Sequence, residues 1–189
     1  MLALIALSLI TVAVAALALT VFMYLVSGVP YVPTPKRIAE EMVKLSGLRA
    51  GETVVDLGAG DGRVLVTAKK MYPSVIARGC ELVPTIWLFG KLYLFFKRAD
   101  VRLRLGDAFK EDVRDADVVL LYLMPEMNAE LVSKFDRELK PGTRVVSRTF
   151  KIAGKEPKEE RVIPGKAPLR SSGSYAGQGR SMKLYLYVW

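Results

Sequence analysis

A glycine-rich segment with two carboxylates, VVDLGAGDGR at residues 54–63, has the residue types of a small-molecule site. The apolar run before the glycines predicts a strand, and the glycines predict a tight turn into a helix. In open α/β sheets a nucleotide binds at this position, outside the carboxyl end of the strand. Asp56 and Asp61 would repel a pyrophosphate at close range. The loop therefore predicts a ligand that carries positive charge and no phosphate.

Two common nucleotide-binding patterns do not fit this loop. A dinucleotide fingerprint, G-x-G-x-x-G, needs its third glycine where Arg63 stands, and Gly62 comes one residue too early. The phosphate-loop pattern fails as well, because no Gly-Lys-Ser/Thr sequence follows. S-adenosylmethionine has the required charge, since it carries an ammonium and a sulfonium and has no phosphate. The candidate cofactor-binding residues of the loop are Asp56, Gly58, Ala59, Gly60, Asp61 and Gly62.

Acidic residues also stand at the ends of the next two predicted strands. Glu81 ends the second strand, where a carboxylate can accept hydrogen bonds from both ribose hydroxyls. Asp107 follows the third strand, where it can meet an adenine amino group. Each also has a simpler interpretation: Asp56 braces the turn, Glu81 is a solvated carboxylate, and Asp107 is a turn residue. Taken together with the loop, the set favours cofactor binding by Glu81, Leu82, Asp107 and Ala108.

The composition excludes several kinds of catalysis. The chain has no histidine and a single cysteine, Cys80, so Ser-His-Asp and Cys-His nucleophile chemistry is ruled out. The same count excludes an intrachain disulfide and predicts no zinc or other metal site. The net charge of +9 belongs entirely to the part after Pro35, because no side chain before it is charged. Such a balance suits anionic lipid surfaces, nucleic acid or acidic proteins.

Alternating strand and helix patterns must position these residues. The predicted strands are TVVDL, SVIARGCE, VRLRL, ADVVLLYL and GTRVVSRTF, with a short strand at 161–163 and a closing strand in MKLYLYVW. Helices are predicted over 35–45, 62–71, 84–97 and 126–139, and loops over most of 151–180. We therefore predict an α/β fold, with a mostly parallel, doubly wound, Rossmann-like sheet and helices on both of its faces.

The first 26 residues are apolar, with only Ser and Thr as polar interruptions. About 20 such residues cross a bilayer, so we predict a transmembrane helix that ends at a Gly28/Pro30 break. A cleaved signal peptide is the alternative, but the run is long and has no basic n-region. The first charges follow the span, which predicts a single-pass protein with its domain in the cytoplasm. We divide the chain into an anchor at 1–27, a linker with an N-terminal helix at 28–50, and a catalytic domain at 51–189.

Four stretches give the chain a resemblance to class I S-adenosylmethionine-dependent methyltransferases: VPYVPTP (29–35), DLGAGDGR (56–63), DADVVLLYLMPEMN (115–128) and LKPGTRVVSRTF (139–150). More narrowly, the chain resembles the membrane-anchored protein-lysine methyltransferases that modify the adenine nucleotide translocase and the ATP synthase c-subunit. The resemblance implies a class I methyltransferase fold and methyl transfer to a lysine ε-amine of a membrane-embedded or membrane-associated protein. The chain is short beside those enzymes, which suggests a prokaryotic membrane.

In the fold implied by this resemblance, the end of the fourth strand faces the transferred methyl group. We predict that Tyr122 and the backbone up to Pro125 form the lysine pocket, with Glu126 or Asn128 as acceptors for the amine N–H groups. The alternative is that Pro125 and Glu126 simply begin the next helix, where a carboxylate is favourable. Thr34 either helps to close the site or caps the helix that follows it.

The segment LVPTIWLFGKLYLFFKR after Glu81 is more aromatic than the family resemblance implies. Its apolar residues cover more than one helix face, so it suits either core packing or contact with anionic lipid headgroups. Two other functions stay open: a lipid or small-molecule methyltransferase at the membrane, and a tethered module that binds the cofactor without catalysis. No nucleic acid is expected as a substrate, because the Asn/Asp-Pro-Pro-aromatic signature of base methylation is absent from the fourth strand.

Overall fold

A computed structural model describes residues 1–27, 31–165 and 181–189 of the chain. The helices within these ranges are α1 (Leu2–Ser27), α2 (Lys36–Leu45), α3 (Arg63–Met71), α4 (Pro84–Lys97) and α5 (Pro125–Glu138). The strands are β1 (Thr53–Leu57), β2 (Ile76–Glu81), β3 (Arg102–Leu105), β4 (Val118–Leu121), β5 (Arg144–Arg148), β6 (Glu159–Ile163) and β7 (Met182–Val188).

The strands form one seven-stranded sheet in the order β3-β2-β1-β4-β5-β7-β6. Strands β1 to β5 are parallel to one another, whereas β7 runs antiparallel to both β5 and β6. From β1 the chain first builds outward through β2 and β3, and it then returns to place β4 on the other side of β1. This reversal opens a crevice at the carboxyl ends of β1 and β4. The predicted doubly wound α/β fold is confirmed.

Both faces of the sheet are covered, which explains the continuous apolar runs of β1 and β4. Side chains alternate along β1, so Val54 and Val55 enter different cores. Val54 packs in the core that contains Met42 of α2 together with side chains of α3 and α4. Val55 packs in the core that contains Phe135 of α5. The helix that precedes the glycine loop is therefore part of the folded unit.

Most element boundaries agree with the sequence pattern, and the start of α2 is an exception. Pro35, rather than Thr34, stands at the N-cap of α2, and no side chain caps this helix. The capping interpretation of Thr34 is wrong because its hydroxyl is engaged elsewhere, as an acceptor for Arg148. The short strand predicted at 161–163 is longer, Glu159–Ile163. The predicted Gly28/Pro30 break and residues 166–180 of the predicted loop lie outside the described residues.

Helix α1 contains an apolar stretch, Leu2–Met23, of 22 residues with a mean hydropathy of 2.8. Within the described parts of the chain, α1 is the one helix long and apolar enough to cross a membrane. Its half-buried residues are Ala16, Thr20 and Met23, which recur at helical spacing and face the folded domain. Thr20 Oγ1 lies 2.6 Å from Oγ1 of Thr85, at the start of α4.

Candidate active site at the carboxyl edge of the sheet

The register of the parallel strands brings the predicted site residues to one edge of the sheet. Leu57 at the end of β1 pairs with Cys80 of β2 and with Leu121 of β4. The residues just beyond these ends surround a cleft of about 960 Å³, part of it open to solvent. The predicted residues that line it are Asp56, Gly58, Ala59, Gly60, Asp61, Glu81, Leu82, Asp107, Ala108 and Tyr122.

The glycine loop folds back onto β2. The N–H groups of Gly58 and Ala59 both donate to the carbonyl oxygen of Cys80, over 3.1 and 2.8 Å. This close approach requires a glycine on β2, because a Cβ on Gly79 would stand 2.7 Å from the Asp56 carbonyl oxygen. Gly62 takes a different place from the other loop residues. It stands at the N-cap of α3, outside the cleft lining, with a φ of 78°.

Glu81 is held in the cleft by two backbone donors. Its Oε2 accepts the Gly60 N–H over 2.9 Å, and its Oε1 accepts the Val83 N–H over 2.9 Å. The residue is 8% exposed, so it is not a freely solvated carboxylate. Burial raises the pKa of Glu81, and the Val83 and Gly60 donors oppose that rise. Each carboxylate oxygen still has accepting capacity for a hydroxyl in the cleft.

Asp56 has a buried carboxylate that no described residue satisfies with a hydrogen bond. It is 5% exposed and borders the cleft. Burial, followed by the nearby carboxylates of Glu81 and Asp61, raises the pKa of Asp56 to about 7. A positively charged ligand in the cleft would favour the ionised form and would lower this pKa again.

Asp61, the second carboxylate of the loop, is already paired within the protein. Its Oδ2 lies 2.6 Å from Nη2 of Arg63, and Nε of the same arginine lies 2.9 Å from Oδ1. Tyr31 stands beside this pair, and burial, followed by the Asp61 carboxylate, raises the pKa of Tyr31 to about 12. The ring of Tyr31 also covers Gly60, where a Cβ would lie 2.7 Å from its Cε2. Asp61 therefore helps to hold Tyr31 in place over the glycine loop.

Asp107 both closes a local turn and borders the cleft. Its Oδ1 accepts the Phe109 N–H over 2.9 Å, so the side chain closes a local turn. The residue nevertheless lines the cleft together with Ala108. Because a carboxylate accepts several hydrogen bonds, the turn leaves Asp107 capacity for a ligand donor.

The segment directly before α2 forms one wall of the cleft, which sequence reasoning considered only for Thr34. Tyr31, Val32, Pro33 and Thr34 all line it. Thr34 is held from two sides: its hydroxyl accepts from Nη1 of Arg148 over 2.8 Å, and its carbonyl oxygen accepts from Nη1 of Arg63 over 3.5 Å.

Arg148, at the end of β5, supports two residues of the cleft lining, Tyr122 and Thr34, and sequence reasoning missed it. It is 3% exposed, and its guanidinium carbon lies 3.8 Å from the ring centroid of Tyr122. Its Nη2 lies 3.5 Å from Sδ of Met182, and within the described residues its Nε has no hydrogen-bond partner. Burial lowers the pKa of Arg148. The sequence signal that could have identified Arg148 is a basic residue at the carboxyl end of the predicted strand GTRVVSRTF.

Of the four residues predicted for catalysis, Tyr122 lines the cleft and the other three do not. Pro125 and Glu126 are exposed in the first turn of α5, which follows the short connection at 122–124. Asn128 is fully buried, and its Nδ2 lies 3.4 Å from Oγ of Ser147 on β5. The apolar side chains of Leu123 and Met127 take the predicted place of these residues in the lining.

The cleft suits a cationic ligand better than a phosphate. The N–H groups of Gly58, Ala59 and Gly60 are all used inside the protein, so these loop amides offer no anion site. The arginine of the loop, Arg63, is paired with Asp61. Two buried carboxylates, Asp56 and Glu81, border the free space instead. These residues fit S-adenosylmethionine, the cofactor that the loop predicts.

Comparison with known proteins gives concordant matches. The ANTKMT methyltransferase domain matches residues 56–159. A protein-lysine N-methyltransferase of Saccharolobus islandicus is 37% identical over 71% of this chain and 84% of its own length. The adenine nucleotide translocase lysine N-methyltransferase of Mus musculus is 36% identical over 68% of this chain. The ATP synthase c-subunit lysine N-methyltransferase of Rattus norvegicus is 30% identical over 64%. The chain spans 56% of the length of each of these last two proteins.

Solved structures with the same fold are methyltransferases too. The RNA methyltransferase from Salinibacter ruber, in complex with S-adenosyl-L-homocysteine, has a TM-score of 0.69 and 28% identity, and the match covers 83% of this chain and 93% of that one. The C-terminal domain of precorrin-6Y C5,15-methyltransferase from Rhodobacter capsulatus has a TM-score of 0.67 with 16% identity, over 83% of this chain and 91% of that one. The second likeness concerns the fold alone.

Proposed function

This chain belongs to the ANTKMT methyltransferase domain family of S-adenosylmethionine-dependent protein-lysine N-methyltransferases, and we propose that its substrate is a lysine of a membrane or membrane-associated protein. Two of its relatives are named for such substrates, the adenine nucleotide translocase and the c-subunit of ATP synthase. The Salinibacter ruber enzyme is named for RNA instead.

The observation that carries the proposal is the position of the cleft wall relative to α1. Helix α1 ends at Ser27, and Tyr31, four residues later, already covers the glycine loop. Four residues span at most about 14 Å. If α1 crosses a membrane, the cleft is therefore held close to the membrane surface. A lysine that emerges there is within reach, whereas a lysine far from the bilayer is not.

The roles of the cofactor-binding residues are proposals from the same geometry. When bound, S-adenosylmethionine supplies an electrophilic methyl group on a cationic sulfur. We assign Glu81 to the ribose hydroxyls and Asp56 to the positively charged end of the cofactor. Asp107 and Ala108 flank the position proposed for the adenine ring. The backbone at Gly58 and Gly60 gives the close approach that these contacts require.

The acceptor lysine must lose its proton before it can attack a methyl group. Its ordinary pKa is about 10.4, so the site has to favour the neutral amine. Leu123 and Met127 provide a dry wall, which disfavours the charged form. Arg148 adds a buried positive charge beside Tyr122, and a like charge lowers the pKa of a nearby amine. Pro125, Glu126 and Asn128 have no assigned contact with the amine in this arrangement.

For localisation, we propose a single-pass protein of a prokaryotic membrane with the catalytic domain on the cytoplasmic side. The first charged residues after α1 are Lys36 and Arg37, which fits the positive-inside tendency. The net charge of +9 makes anionic lipid headgroups a favourable neighbour. The anchor is residues 1–27. Because α2 packs in the hydrophobic core, we assign the segment 28–50 to the same folded unit as the domain at 51–189.

The test uses the full chain reconstituted into proteoliposomes with a membrane-protein fraction from the source organism. With tritiated S-adenosylmethionine, label should enter acid-precipitable protein, and mass spectrometry should place it on lysine. The variant Asp56→Ala is the control for loss of cofactor binding. Label in the organic extract would instead support the lipid methyltransferase alternative. Cofactor binding without release of S-adenosylhomocysteine would support the non-catalytic module.

A further inference from the structure

Helix α4 presents two faces of different character. Its buried face contains Gly90 and Leu94 and packs against the glycine loop. The contact is close, because a Cβ on Gly90 would lie 3.1 Å from the Gly60 carbonyl oxygen and from Cα of Asp61. One side of α4 therefore supports the cofactor loop directly.

The opposite side of α4 is apolar and exposed. Five large side chains share this side: Leu88 at 54% exposure, Phe89 at 66%, Leu92 at 48%, Phe95 at 75% and Phe96 at 77%. Their spacing of three, four and seven residues places them on one stripe of the helix. A contiguous apolar face of this kind on a folded domain marks an interaction surface.

The position of α4 beside α1 indicates what covers this stripe. The hydroxyl oxygen of Thr85, in the first turn of α4, lies 2.6 Å from the hydroxyl oxygen of Thr20. Thr20 belongs to the apolar stretch Leu2–Met23 of α1. Phe95 lies about 15 Å farther along α4 than Thr85, given a rise of about 1.5 Å per residue. An α1 that spans a bilayer would thus bring the start of α4 to the boundary between lipid and water.

The basic residues of α4 and its C-cap, Arg98, also fit a lipid surface. Lys91, Lys97 and Arg98 are all exposed, and α4 has no acidic residue. Lys97 Nζ lies 5.6 Å from the ring centroid of Tyr93. Long basic side chains beside an apolar face can extend to lipid phosphates while their stems stay against the acyl region.

We propose that α4 lies in the lipid–water interface of the membrane that α1 spans, with the stripe of Leu88, Phe89, Leu92, Phe95 and Phe96 among the lipid chains. Lys91, Lys97 and Arg98 contact anionic phosphates. This inference rests on the proposed membrane anchor and goes beyond it, because an anchor alone leaves the orientation of the domain free. A helix is about 10 Å across, so the glycine loop on the other face of α4 lies about that far from the bilayer. The acceptor lysine must then emerge close to the membrane surface.

The test measures lipid contact in the full chain, reconstituted into liposomes of phosphatidylcholine and phosphatidylglycerol. Single-cysteine variants Phe95→Cys, Val14→Cys and Lys158→Cys receive an environment-sensitive nitrobenzoxadiazole label. Cys80 is fully buried and does not compete for it. Val14 reports the α1 span, and Lys158 is an exposed residue just before β6, at the opposite edge of the sheet from β3.

Spin-labelled lipid should quench the label at positions 14 and 95 at least about twofold more than the label at 158. Quenching at 14 without quenching at 95 would overturn the α4 inference and leave the anchor intact. Quenching at neither position would refute the anchor and the inference together. A blue-shifted label at 95 that lipid does not quench would show that a protein surface, such as a second copy of the chain, covers the stripe, and this also overturns the inference.

A charge-reversal pair tests the lipid chemistry. In Lys91→Glu/Lys97→Glu, quenching of the label at 95 should fall in anionic vesicles to the level seen in vesicles of phosphatidylcholine alone. The matched control is Lys110→Glu/Lys158→Glu, which makes the same change of net charge away from α4 and should leave quenching unchanged. Equal quenching in both pairs would overturn the role of the basic residues.

Discussion

Arg148 at the end of β5 lies over the ring of Tyr122, the first residue after β4, with its guanidinium carbon 3.8 Å from the ring centroid. The same guanidinium donates to the hydroxyl of Thr34, 114 residues earlier in the chain. A buried cation therefore joins the acceptor side of the cleft to the segment that follows α1. This relationship holds one wall of the cleft in a fixed position.

We expect Arg148→Met to shift the pH profile of methyl transfer to higher pH. Loss of the buried charge lets the pKa of the acceptor lysine rise by about one unit, which is a rate loss of about tenfold at neutral pH. The measurement is kcat from pH 6.5 to 10 with a saturating lysine substrate, because kcat reports pKa values of the bound complex. Arg104→Met, an exposed arginine on β3, is the control. A profile that falls uniformly with no shift would contradict the charge effect and leave only a packing role.

Asp56 should make cofactor affinity depend on pH. Its pKa of about 7 means that the carboxylate is largely protonated below neutrality and cannot attract a cation. Calorimetry should find that S-adenosylmethionine binds more weakly as the pH falls from 8 to 6. In Asp56→Asn, affinity at pH 8 should drop by about 10- to 100-fold, as for loss of a charge-assisted hydrogen bond. An unchanged affinity would remove Asp56 from the site.

The same substitution should stabilise the ligand-free protein at alkaline pH. Because the folded-state pKa of Asp56 lies above its usual value of 3.8, the folded state prefers the protonated form. Stability is therefore lost as the pH rises from about 4 to about 7, where the buried carboxylate ionises. Asp56→Asn should raise the melting temperature by at least about 2 °C at pH 8 and leave it unchanged near pH 4. Destabilisation at pH 8 would indicate that Asp56 braces the turn.

Thr34→Val should weaken the wall of the cleft. The isosteric change leaves Nη1 of the buried Arg148 without its acceptor, which costs about 1–3 kcal/mol. We expect a lower melting temperature and a lower kcat/KM. Thr67→Val in α3 is the matched control, because Thr67 donates only to the carbonyl oxygen of Arg63 one turn earlier. If both variants show the same melting temperature and kcat/KM, the hydrogen bond between Thr34 and Arg148 does not stabilise the cleft wall.

Gly90→Ala should disturb the cofactor loop from behind. Its Cβ would stand 2.6 Å from Cδ2 of Leu103 and 3.1 Å from the loop backbone at Gly60. Such overpacking typically costs about 1–3 kcal/mol, so cofactor binding and thermal stability should both fall. Gly106→Ala is the steric control for stability, since its Cβ would meet only Cys80, at 3.9 Å. Equal melting temperatures of the two variants would show that α4 moves freely away from the loop.

The sequence pattern predicted the elements of the domain well because their signals are local. Strand β4, Val118–Leu121, is apolar throughout, as is typical of a strand covered on both faces. The prediction that Thr34 caps α2 was wrong for a tertiary reason, because its hydroxyl accepts a hydrogen bond from Arg148 on β5. Pro125 and Glu126 were expected at the cleft because they follow β4. They are exposed in the first turn of α5, and the connection at 122–124 places Tyr122 and Leu123 at the cleft instead.

By itself, the sequence determined the order of strands and helices and the carboxylates at the strand ends. Parallel strands carry their carboxyl ends to one edge, so a local pattern was enough to bring Asp56, Glu81 and Asp107 to a common cleft. Only the tertiary structure decided that Arg148 meets Tyr122 and Thr34, and that Tyr31 covers Gly60. Those contacts join segments far apart in the chain, and they depend on strand register and on the docking of α2, which no local periodicity encodes.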